Sequence, residues 1–422
     1  MLDLRAIRED PEPARAALGR RGSAEMLDEV LDLDGRRREL LPRVEEMRAR
    51  QNKASDAIAE AKREGADAAG QIAEMRQLSG ELKGLEAELR EVERKRDELA
   101  ARIPNLPDPE APDGMTEQDA VVVREVGEPP RFGFEPRDHL EIGTELGLIE
   151  MEAAARASGA RFAYLLGDLV LVELALVRWA MDLLRGEGHE PVIPPVLVRE
   201  EPLFGTGFLP GDRDQLYEVP RDELYLVGTS EVSLGALHAD QILDADALPI
   251  RYAGFSTCFR REAGAAGKDT RGIFRVHQFD KVEMFSFTEP GAATAEHERL
   301  LAIEERILSE LEIPYRVVDV AAGDLGASAA RKFDCEAWIP SQNRYRELTS
   351  CSNTTDYQAR RMRCRYRAAE GEGPIHVSTL NGTALAVGRT LIALIENRQD
   401  DAHAFSLPEV LHTYGAPKRI GP

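Results

Sequence analysis

A heptad pattern of mostly apolar residues runs through residues 27–103. The spacing alternates between four and three, which keeps one stripe on one side of a helix and lets two helices supercoil. The pattern therefore predicts two long helices. Their seam positions are Leu40, Val44, Met47, Gln51, Ala54, Ile58 and Ala61 in the first run, and Ile72, Met75, Ser79, Leu82, Leu85, Leu89, Val92, Arg96, Leu99 and Ile103 in the second.

The segment between the two runs, residues 62–70, contains Gly65 and Gly70 and suits a chain reversal. We expect the helices to pair antiparallel as a hairpin, with a first helix of about 35 residues from Leu27, roughly 50 Å long. A dimerisation coiled coil is the alternative for any isolated heptad segment. The internal turn favours the hairpin, because a self-paired arm needs no second chain.

The pattern changes after residue 103. Residues 104–136 hold seven prolines and little periodicity, which indicates a connector or a loosely packed crossover. Beyond it, residues 158–164 predict a strand, residues 168–184 a long helix, and residues 191–198 an extended segment whose prolines exclude a helix interior. Strand-like and helical stretches then alternate irregularly, which favours an α+β body over residues 137–422 with a mainly antiparallel sheet.

Residues 255–285 predict a β-hairpin with a charged face. Its middle, residues 263–272, has three glycines and predicts a mobile loop. On the first strand, Arg260 and Glu262 share a face by the period of two. On the second, the same period places Phe274, Val276, Val282 and Met284 on one face and the following residues on the other: Arg275, His277, Phe279, Lys281 and Glu283.

Two interpretations of this charged face are open. A solvated face with cross-strand salt bridges is the ordinary one for an arbitrary hairpin. Phe279 among the charges favours a nucleotide shelf, where the ring stacks on a base and arginines neutralise phosphates. A Walker-type phosphate loop over residues 264–268 is excluded, because Glu262 and Asp269 stand where that pattern needs glycine and serine or threonine.

Composition narrows the function classes. A chain of 422 residues predicts two or three domains, and no stretch approaches the roughly 20 apolar residues of a membrane span. The N-terminus lacks the apolar core of a signal peptide. The four scattered cysteines indicate reduced thiols in the cytoplasm, with neither a disulfide framework nor a zinc site. We therefore expect a cytoplasmic protein with no membrane partner.

Net charge bears on nucleic-acid binding. The chain carries −22, which opposes binding to a phosphate backbone. Residues 1–103, however, hold 21 basic and 24 acidic residues, a net charge of only −3. Local basic stripes are therefore possible on the helical hairpin.

Four segments in order carry a resemblance to a known family. The sequence FRREAGAAGKDTRGIFRVHQFDKVEMF, residues 259–285, resembles motif 2 of class II aminoacyl-tRNA synthetases in the form of the seryl-tRNA synthetase family. GTSE at 228–231 resembles that family's TxE loop, and RELTSCSN at 346–353 with DYQARR at 356–361 resembles its metal-binding strand. LNGTALAVGRT at 380–390 resembles motif 3, and Pro194-Pro195 suits the end of motif 1. The resemblance spans essentially the whole chain.

The resemblance implies a class II fold and a set of ATP contacts. Arg260, Arg275 and Arg389 are the implied catalytic residues. Arg260 would contact the α-phosphate and the carboxylate of the amino acid, Glu262 the adenine amino group, and Phe279 one adenine face. Arg275 would hold the γ-phosphate, and Arg389 the γ-phosphate or the other adenine face. The remaining implied ATP contacts are Val276, Glu347 and Ser350, of which Glu347 and Ser350 would also hold a Mg²⁺ that bridges phosphates.

The resemblance also implies a site for L-serine. Thr229 and Glu231 would meet the ammonium, and Arg260 the carboxylate. The side-chain hydroxyl would lie among Glu283, Asn381 and Thr383. Taken alone, Thr383 could equally cap or pack the following helix, and Ser350 could be an ordinary strand hydroxyl.

The implied function is a homodimeric ligase that activates serine with ATP and charges tRNA(Ser), and tRNA(Sec) with it. Residues 1–103, with their arm at 27–103, would bind tRNA, and residues 104–136 would connect them to the catalytic domain at 137–422. A carrier-protein ligase and a non-catalytic coiled-coil regulator are the alternatives; the full arm opposes the first and the intact charged motif residues oppose the second. Candidate phosphate contacts on the arm are Arg48, Arg50, Lys53, Lys62, Arg63 and Arg76.

Overall fold

The computed structural model describes residues 1–263, 267, 269, 271–368 and 373–422. The described chain separates into two compact units, Met1–Ile103 and Pro104–Pro422. The loop predicted at 263–272, and with it the segment 264–268, lies largely outside the described residues. In the part of the chain that is described, no helix is both long and apolar enough to cross a bilayer.

The first unit is built from helices. The Asp3 side chain caps the first one by accepting from the backbone N–H groups of Arg5 and Ala6. The third has 40 residues, about 60 Å at 1.5 Å per residue. It begins three residues before the predicted start at Leu27. The helices are α1 (Leu4–Glu9), α2 (Pro11–Gly19), α3 (Ala24–Arg63) and α4 (Ala69–Ala100).

Helices α3 and α4 pair along the predicted seam. Leu40 and Val44 of α3 pack with Leu82 and Leu89 of α4 in one buried cluster. Farther along, two polar seam positions meet directly: Gln51 Nε2 donates to Ser79 Oγ at 2.7 Å. Side-chain contacts along the pair join Arg37 to Glu93, Arg48 to Glu86 and Ser55 to Met75. The partner position falls along α4 as the position in α3 rises, so the predicted antiparallel hairpin is confirmed.

The second unit combines strands and helices. Its helices are α5 (His139–Glu145), α6 (Glu152–Ser158), α7 (Asp168–Gly186), α8 (Glu200–Thr206), α9 (Glu231–Ala236), α10 (Ala293–Glu310), α11 (Tyr357–Met362), α12 (Val387–Asn397) and α13 (Glu409–His412). Its strands are β1 (Val121–Val126), β2 (Ile149–Glu150), β3 (Tyr164–Leu165), β4 (Glu190–Val192), β5 (Leu197–Val198), β6 (Tyr217–Val219), β7 (Leu224–Leu226), β8 (Ile242–Asp244), β9 (Ile250–Phe259), β10 (Gln278–Thr288), β11 (Tyr315–Asp319), β12 (Arg331–Ile339), β13 (Arg344–Asn353), β14 (Arg365–Arg367), β15 (Ile375–His376), β16 (Ser378–Ala386), β17 (Phe405–Ser406) and β18 (Arg419–Ile420).

An eight-stranded sheet forms the centre of this unit. Its strand order is β1-β11-β12-β13-β16-β10-β9-β4, and its pairs are antiparallel except for β4 with β9. With the helical hairpin, this sheet confirms the predicted α+β fold. Strands β13, β16, β10 and β9 are neighbours in this order, and they carry the segment RELTSCSN and parts of motifs 2 and 3.

The sheet separates the core from the site. Val282 and Met284 of β10 join the buried core, to which α7, α10 and α12 also contribute. Because successive side chains of a strand point to opposite faces, Lys281 and Glu283 point away from that core. The alternation therefore leaves one face of the central strands for polar chemistry.

Local predictions in this unit had mixed outcomes. The helix predicted at 168–184 is confirmed as α7, and residues 191–198 are extended without a helix. The strand predicted at 158–164 is wrong: α6 ends at Ser158, and only Tyr164–Leu165 is a strand. Within the proline-rich stretch, Val121–Val126 pairs with β11 as an edge strand of the central sheet.

Candidate active site

The polar face of the sheet carries a cavity of about 270 Å³. Residues from β10, β12, β13 and β16 line it, together with the start of α9 and of α12 and the segment that follows β9. The structure brings together all thirteen predicted site residues there: Thr229, Glu231, Arg260, Glu262, Arg275, Val276, Phe279, Glu283, Glu347, Ser350, Asn381, Thr383 and Arg389. Their functional roles remain predictions from the sequence.

One side of the cavity is anchored by His139 of α5. The backbone N–H of Ile273 donates to His139 Nε2 at 3.2 Å, and Nδ1 lies 2.8 Å from Glu396 Oε1. Since Nε2 accepts, Nδ1 carries the proton and donates to Glu396. Gly272 has φ +69°, and a Cβ there would lie 2.1 Å from Nε2. Only glycine therefore lets the chain enter the segment that carries Arg275.

Arg260, Glu262, Arg275 and Phe279 form a contiguous group in the cavity. Arg275 Nη1 donates to Glu262 Oε2 at 2.5 Å. Arg260 Nε donates to the Gly228 carbonyl at 3.1 Å, and its Cζ lies 5.2 Å from the centre of the Phe279 ring. The ring predicted to stack on adenine is thus covered on one face by Arg260, so a base would take the other face or displace the guanidinium.

The period-two prediction fails for residues 273–277. Strand β10 begins only at Gln278, so side chains before it do not alternate. Phe274 and Val276, which alternation assigned to the opposite face, both line the cavity. Phe274 lies between two cations, with Arg346 Cζ 4.1 Å and Arg389 Cζ 4.9 Å from its ring centre. The irregular backbone allows both faces of the motif to contribute.

Glu347 lies among cations in the cavity. Desolvation opposes its ionisation, but the charges of Lys332, Arg389, Arg260 and Arg275 prevail and lower the pKa of Glu347 to about 2. Arg389 Nη1 also donates to the Glu347 carbonyl at 2.9 Å. The carboxylate is therefore ionised at every physiological pH. Ser350, on the same strand, lines the same cavity.

Glu231 lies at the opposite end, at the first turn of α9. Its Oε1 accepts from Gln358 Nε2 at 2.7 Å and from Asn381 Nδ2 at 2.9 Å. Burial, followed by the charge of Glu283, raises the pKa of Glu231 to about 7. Burial thus makes the anionic form of Glu231 costly despite these two hydrogen bonds, and a cation placed beside it would stabilise that form.

Glu283 faces Thr383 across the strands β10 and β16. An irregularity in the register between Val282 and Glu283 sets this pairing, and Thr383 Oγ1 lies 3.4 Å from Glu283 Oε2. The same carboxylate oxygen lies 2.5 Å from Lys281 Nζ, which also donates to Thr229 Oγ1 at 2.7 Å. This end can therefore exchange hydrogen bonds with a small polar side chain.

Four residues of the site received no role from the sequence. Phe274, Lys281 and Lys332 line the cavity, and Gln358 holds Glu231. Lys332 Nζ lies 2.8 Å from Asp334 Oδ1. Burial opposes its charge, but Asp334 and Glu347 raise the pKa of Lys332 above its ordinary value. Strand alternation had already placed Lys281 on this face, and the same rule could have assigned Lys332 to it. Gln358 acts through a tertiary contact that no local pattern signals.

Comparisons with known proteins agree with this geometry. Residues 217–398 match the tRNA synthetase class II core domain (G, H, P, S and T), and residues 1–107 match the seryl-tRNA synthetase N-terminal domain. In the described residues, no group of three or more His, Cys, Asp and Glu side chains could hold a metal ion.

Individual relatives extend over the whole chain. A serine–tRNA ligase of Thermobifida fusca is 51% identical over 98% of this chain and 97% of its own length, and one of Rubrobacter xylanophilus is 48% identical over 100% and 99%. The crystal structure of seryl-tRNA synthetase from Pyrococcus horikoshii complexed with ATP superposes with a TM-score of 0.91 at 39% identity, covering 100% of both chains. The chain therefore belongs to the serine–tRNA ligase family of class II aminoacyl-tRNA synthetases.

Proposed function

We propose that this chain activates L-serine with ATP and transfers the seryl group to the 3′ end of tRNA(Ser), and of tRNA(Sec). One observation carries the proposal: a single cavity joins a carboxylate-lined end, Glu231 and Glu283, to a cation-lined end, with Arg260 among its lining residues. The relatives from Thermobifida fusca and Rubrobacter xylanophilus, named as serine–tRNA ligases, support it.

The cation-lined end suits the triphosphate of ATP. Arg260 would contact the α-phosphate, and Arg275 with Arg389 would neutralise the γ-phosphate. A guanidinium group suits this role because it can donate two parallel N–H bonds to phosphate oxygens. Adenine would stack on Phe279, with Glu262 accepting from its amino group and Val276 beside it. Entry of the base would require Glu262 to loosen its 2.5 Å contact with Arg275. The cost is offset because Arg275 gains a phosphate partner.

The donor set at this end fits Mg²⁺. Glu347 is ionised, since its pKa is lowered to about 2, and Ser350 offers a hydroxyl on the same strand. Oxygen ligands suit this hard cation, which usually keeps waters and shares substrate phosphates. Two protein ligands are consequently sufficient. When bound, Mg²⁺ would neutralise phosphate charge; Glu347 and Ser350 would hold it.

The carboxylate-lined end suits serine. Its ammonium would meet Glu231 and Thr229, its carboxylate would meet Arg260, and its hydroxyl would lie among Glu283, Asn381 and Thr383. The chain needs no nucleophile of its own. The serine carboxylate would attack the α-phosphorus in line, forming a new P–O bond while the bond to pyrophosphate breaks. The tRNA hydroxyl would then attack the seryl carbonyl and release AMP, with the chain contributing orientation and charge neutralisation.

We assign tRNA binding to residues 1–103, with the arm at 27–103, connection to 104–136 and catalysis to 137–422. Arg50, Lys53, Lys62, Arg63 and Arg76 are exposed on the arm. Arg48 is exposed too but forms a 2.8 Å ion pair with Glu86. The match of residues 1–107 to a seryl-tRNA synthetase domain supports the tRNA assignment over a carrier-protein ligase. Such an arm would read RNA shape and backbone.

A homodimer is the oligomeric state that we propose. Apolar side chains of α7 and its neighbours are exposed as a group: Leu166, Val170, Leu171, Leu174 and Ile193, the last 85% exposed. A patch of this kind marks an association surface, and a second copy would cover it through a two-fold interface. The four cysteines are buried free thiols, which suits the reducing cytoplasm.

The decisive experiment is serine-dependent ATP–pyrophosphate exchange by the full chain, followed by charging of tRNA(Ser). We expect exchange with serine and little with alanine or glycine. Charge reversal at Arg50 and Lys53 should lower tRNA charging and leave exchange intact, while reversal at exposed Lys418 of the second unit serves as the matched control. Preference for alanine or glycine, or absence of exchange, would overturn the proposed activity.

A further inference from the structure

Lys281 is a buried lysine at the amino-acid end of the cavity. It lies on β10, and only 5% of its surface is exposed. Its Nζ lies 2.5 Å from Glu283 Oε2 and donates to Thr229 Oγ1 at 2.7 Å. It thus bridges the residues proposed to meet the substrate hydroxyl and the substrate ammonium. Burial of the Lys281 ammonium costs free energy unless nearby groups compensate its charge.

Lys281 and Glu283 each keep hydrogen-bonding capacity for a ligand. An ammonium has three N–H donors, and two are used by Glu283 and Thr229. Thr229 Oγ1 also accepts from the Glu231 backbone N–H at 3.2 Å, so both of its lone pairs are occupied. In the described residues, the polar contacts of Glu283 use Oε2. One donor of Lys281 and one acceptor, Glu283 Oε1, are left for a ligand.

We propose that Lys281 determines the side-chain specificity of the site, an inference that rests on the proposed activation of serine. A hydroxyl both accepts and donates, so it satisfies Lys281 and Glu283 together. A methyl group satisfies neither and leaves two buried polar groups unpaired. A side-chain ammonium can only donate, and it would face the like charge of Lys281.

Glu283 alone would not reject a cationic side chain. A buried carboxylate without a partner would select a cationic side chain over a neutral one. Lys281 compensates Glu283 internally and leaves Glu231 as the carboxylate available to the α-ammonium. The pair therefore separates two otherwise similar carboxylates: one recognises charge, and the other recognises a hydroxyl.

The test compares serine with diaminopropionate, in which an ammonium replaces the hydroxyl. ATP–pyrophosphate exchange is measured with each amino acid, at a pH where both amines of diaminopropionate are protonated. We expect Lys281→Met to reduce the preference for serine at least tenfold, with diaminopropionate gaining in absolute rate. Lys281→Arg should retain the preference. An unchanged preference in Lys281→Met, or equal loss in Lys281→Met and Lys281→Arg, would overturn the proposal.

A double variant separates specificity from damage to the fold. Lys281→Met with Glu283→Gln removes both charges together, so it buries no uncompensated ion and should again reject diaminopropionate. If it accepts diaminopropionate as well as the single variant does, charge at Glu283 is not the cause and the proposal fails. Lys281→Gln carries the same test if the methionine variant does not fold. Failure of the proposed activity itself would appear separately, as no serine-dependent exchange by the unaltered chain.

Discussion

Replacement of Glu231 by glutamine should stabilise the protein while weakening serine binding. In the folded chain, burial and the charge of Glu283 raise the pKa of Glu231 from 4.5 to about 7. The folded state therefore holds this proton more tightly than the unfolded state, and folding loses stability as the pH rises from about 4.5 to 7. The full loss is present above pH 7. A shift of this size corresponds to about 3 kcal/mol.

Glutamine removes this cost without losing the local hydrogen bonds. Its amide oxygen can still accept from Gln358 Nε2 and Asn381 Nδ2, as Oε1 of Glu231 does. We expect Glu231→Gln to raise the free energy of unfolding by about 1–3 kcal/mol at pH 8 and by much less at pH 5. Denaturation in urea, followed by tryptophan fluorescence, measures the change. Both tryptophans, Trp179 and Trp338, lie in the second unit with Glu231.

The same residue predicts the pH dependence of serine use. In the proposed site an ionised Glu231 would pair with the substrate ammonium, so the KM for serine should rise as the pH falls through 7, by roughly eightfold between pH 7.5 and 6. In Glu231→Gln the KM should be higher and nearly independent of pH. A stability difference that is equal at pH 5 and pH 8, or a KM profile that survives in the variant, would refute the reasoning.

Three further predictions concern other parts of the molecule. Thr383→Val replaces a hydroxyl near Glu283 by a methyl group of similar size; kcat/KM for serine in exchange assays should fall about 10- to 100-fold, corresponding to 1–3 kcal/mol for an unpaired buried group, with the KM for ATP nearly unchanged. Equal losses for both substrates would show that Thr383 packs the fold instead. Glu347→Gln removes the anion at the phosphate end, so a titration of exchange activity should require about tenfold more Mg²⁺; an unaltered Mg²⁺ requirement would exclude it as a ligand. Leu40→Ala opens a cavity in the hairpin seam and should destabilise the first unit by about 2–5 kcal/mol in thermal unfolding followed by circular dichroism, with tRNA charging reduced and exchange retained; loss of exchange would contradict separate roles for the two units.

The heptad repeat was sufficient to predict the antiparallel pairing of the two long helices of the first unit. A heptad repeat reports directly on which side of a helix is apolar, and the turn between the two runs fixed the pairing direction. Gln51 and Ser79, which the pattern placed in the seam, do meet there. The predicted helix from Leu27 already ran through Pro42, which does lie inside α3. There the packing of Leu40 and Val44 outweighs the local preference.

The sequence predicted which residues form the site, but it did not predict how their side chains are arranged in it. Alternation correctly placed Lys281 and Glu283 on a face apart from the core, because β10 is regular there. It failed for Phe274 and Val276, since the chain before Gln278 is held by His139 rather than by a strand ladder. Strand predictions also failed at residues 158–164, where short elements leave little periodic signal.

By itself, the sequence determined the helical hairpin, the α+β class and the identity of the residues that meet in the cavity. Only the tertiary structure decided how their charges are shared: Glu231 is held by Gln358 and has a raised pKa, whereas Glu283 is paired with Lys281. Two glutamates are chemically identical in a sequence. Their protonation and their hydrogen-bond partners depend on desolvation and on neighbours contributed by distant segments, and those exist only after the sheet has formed.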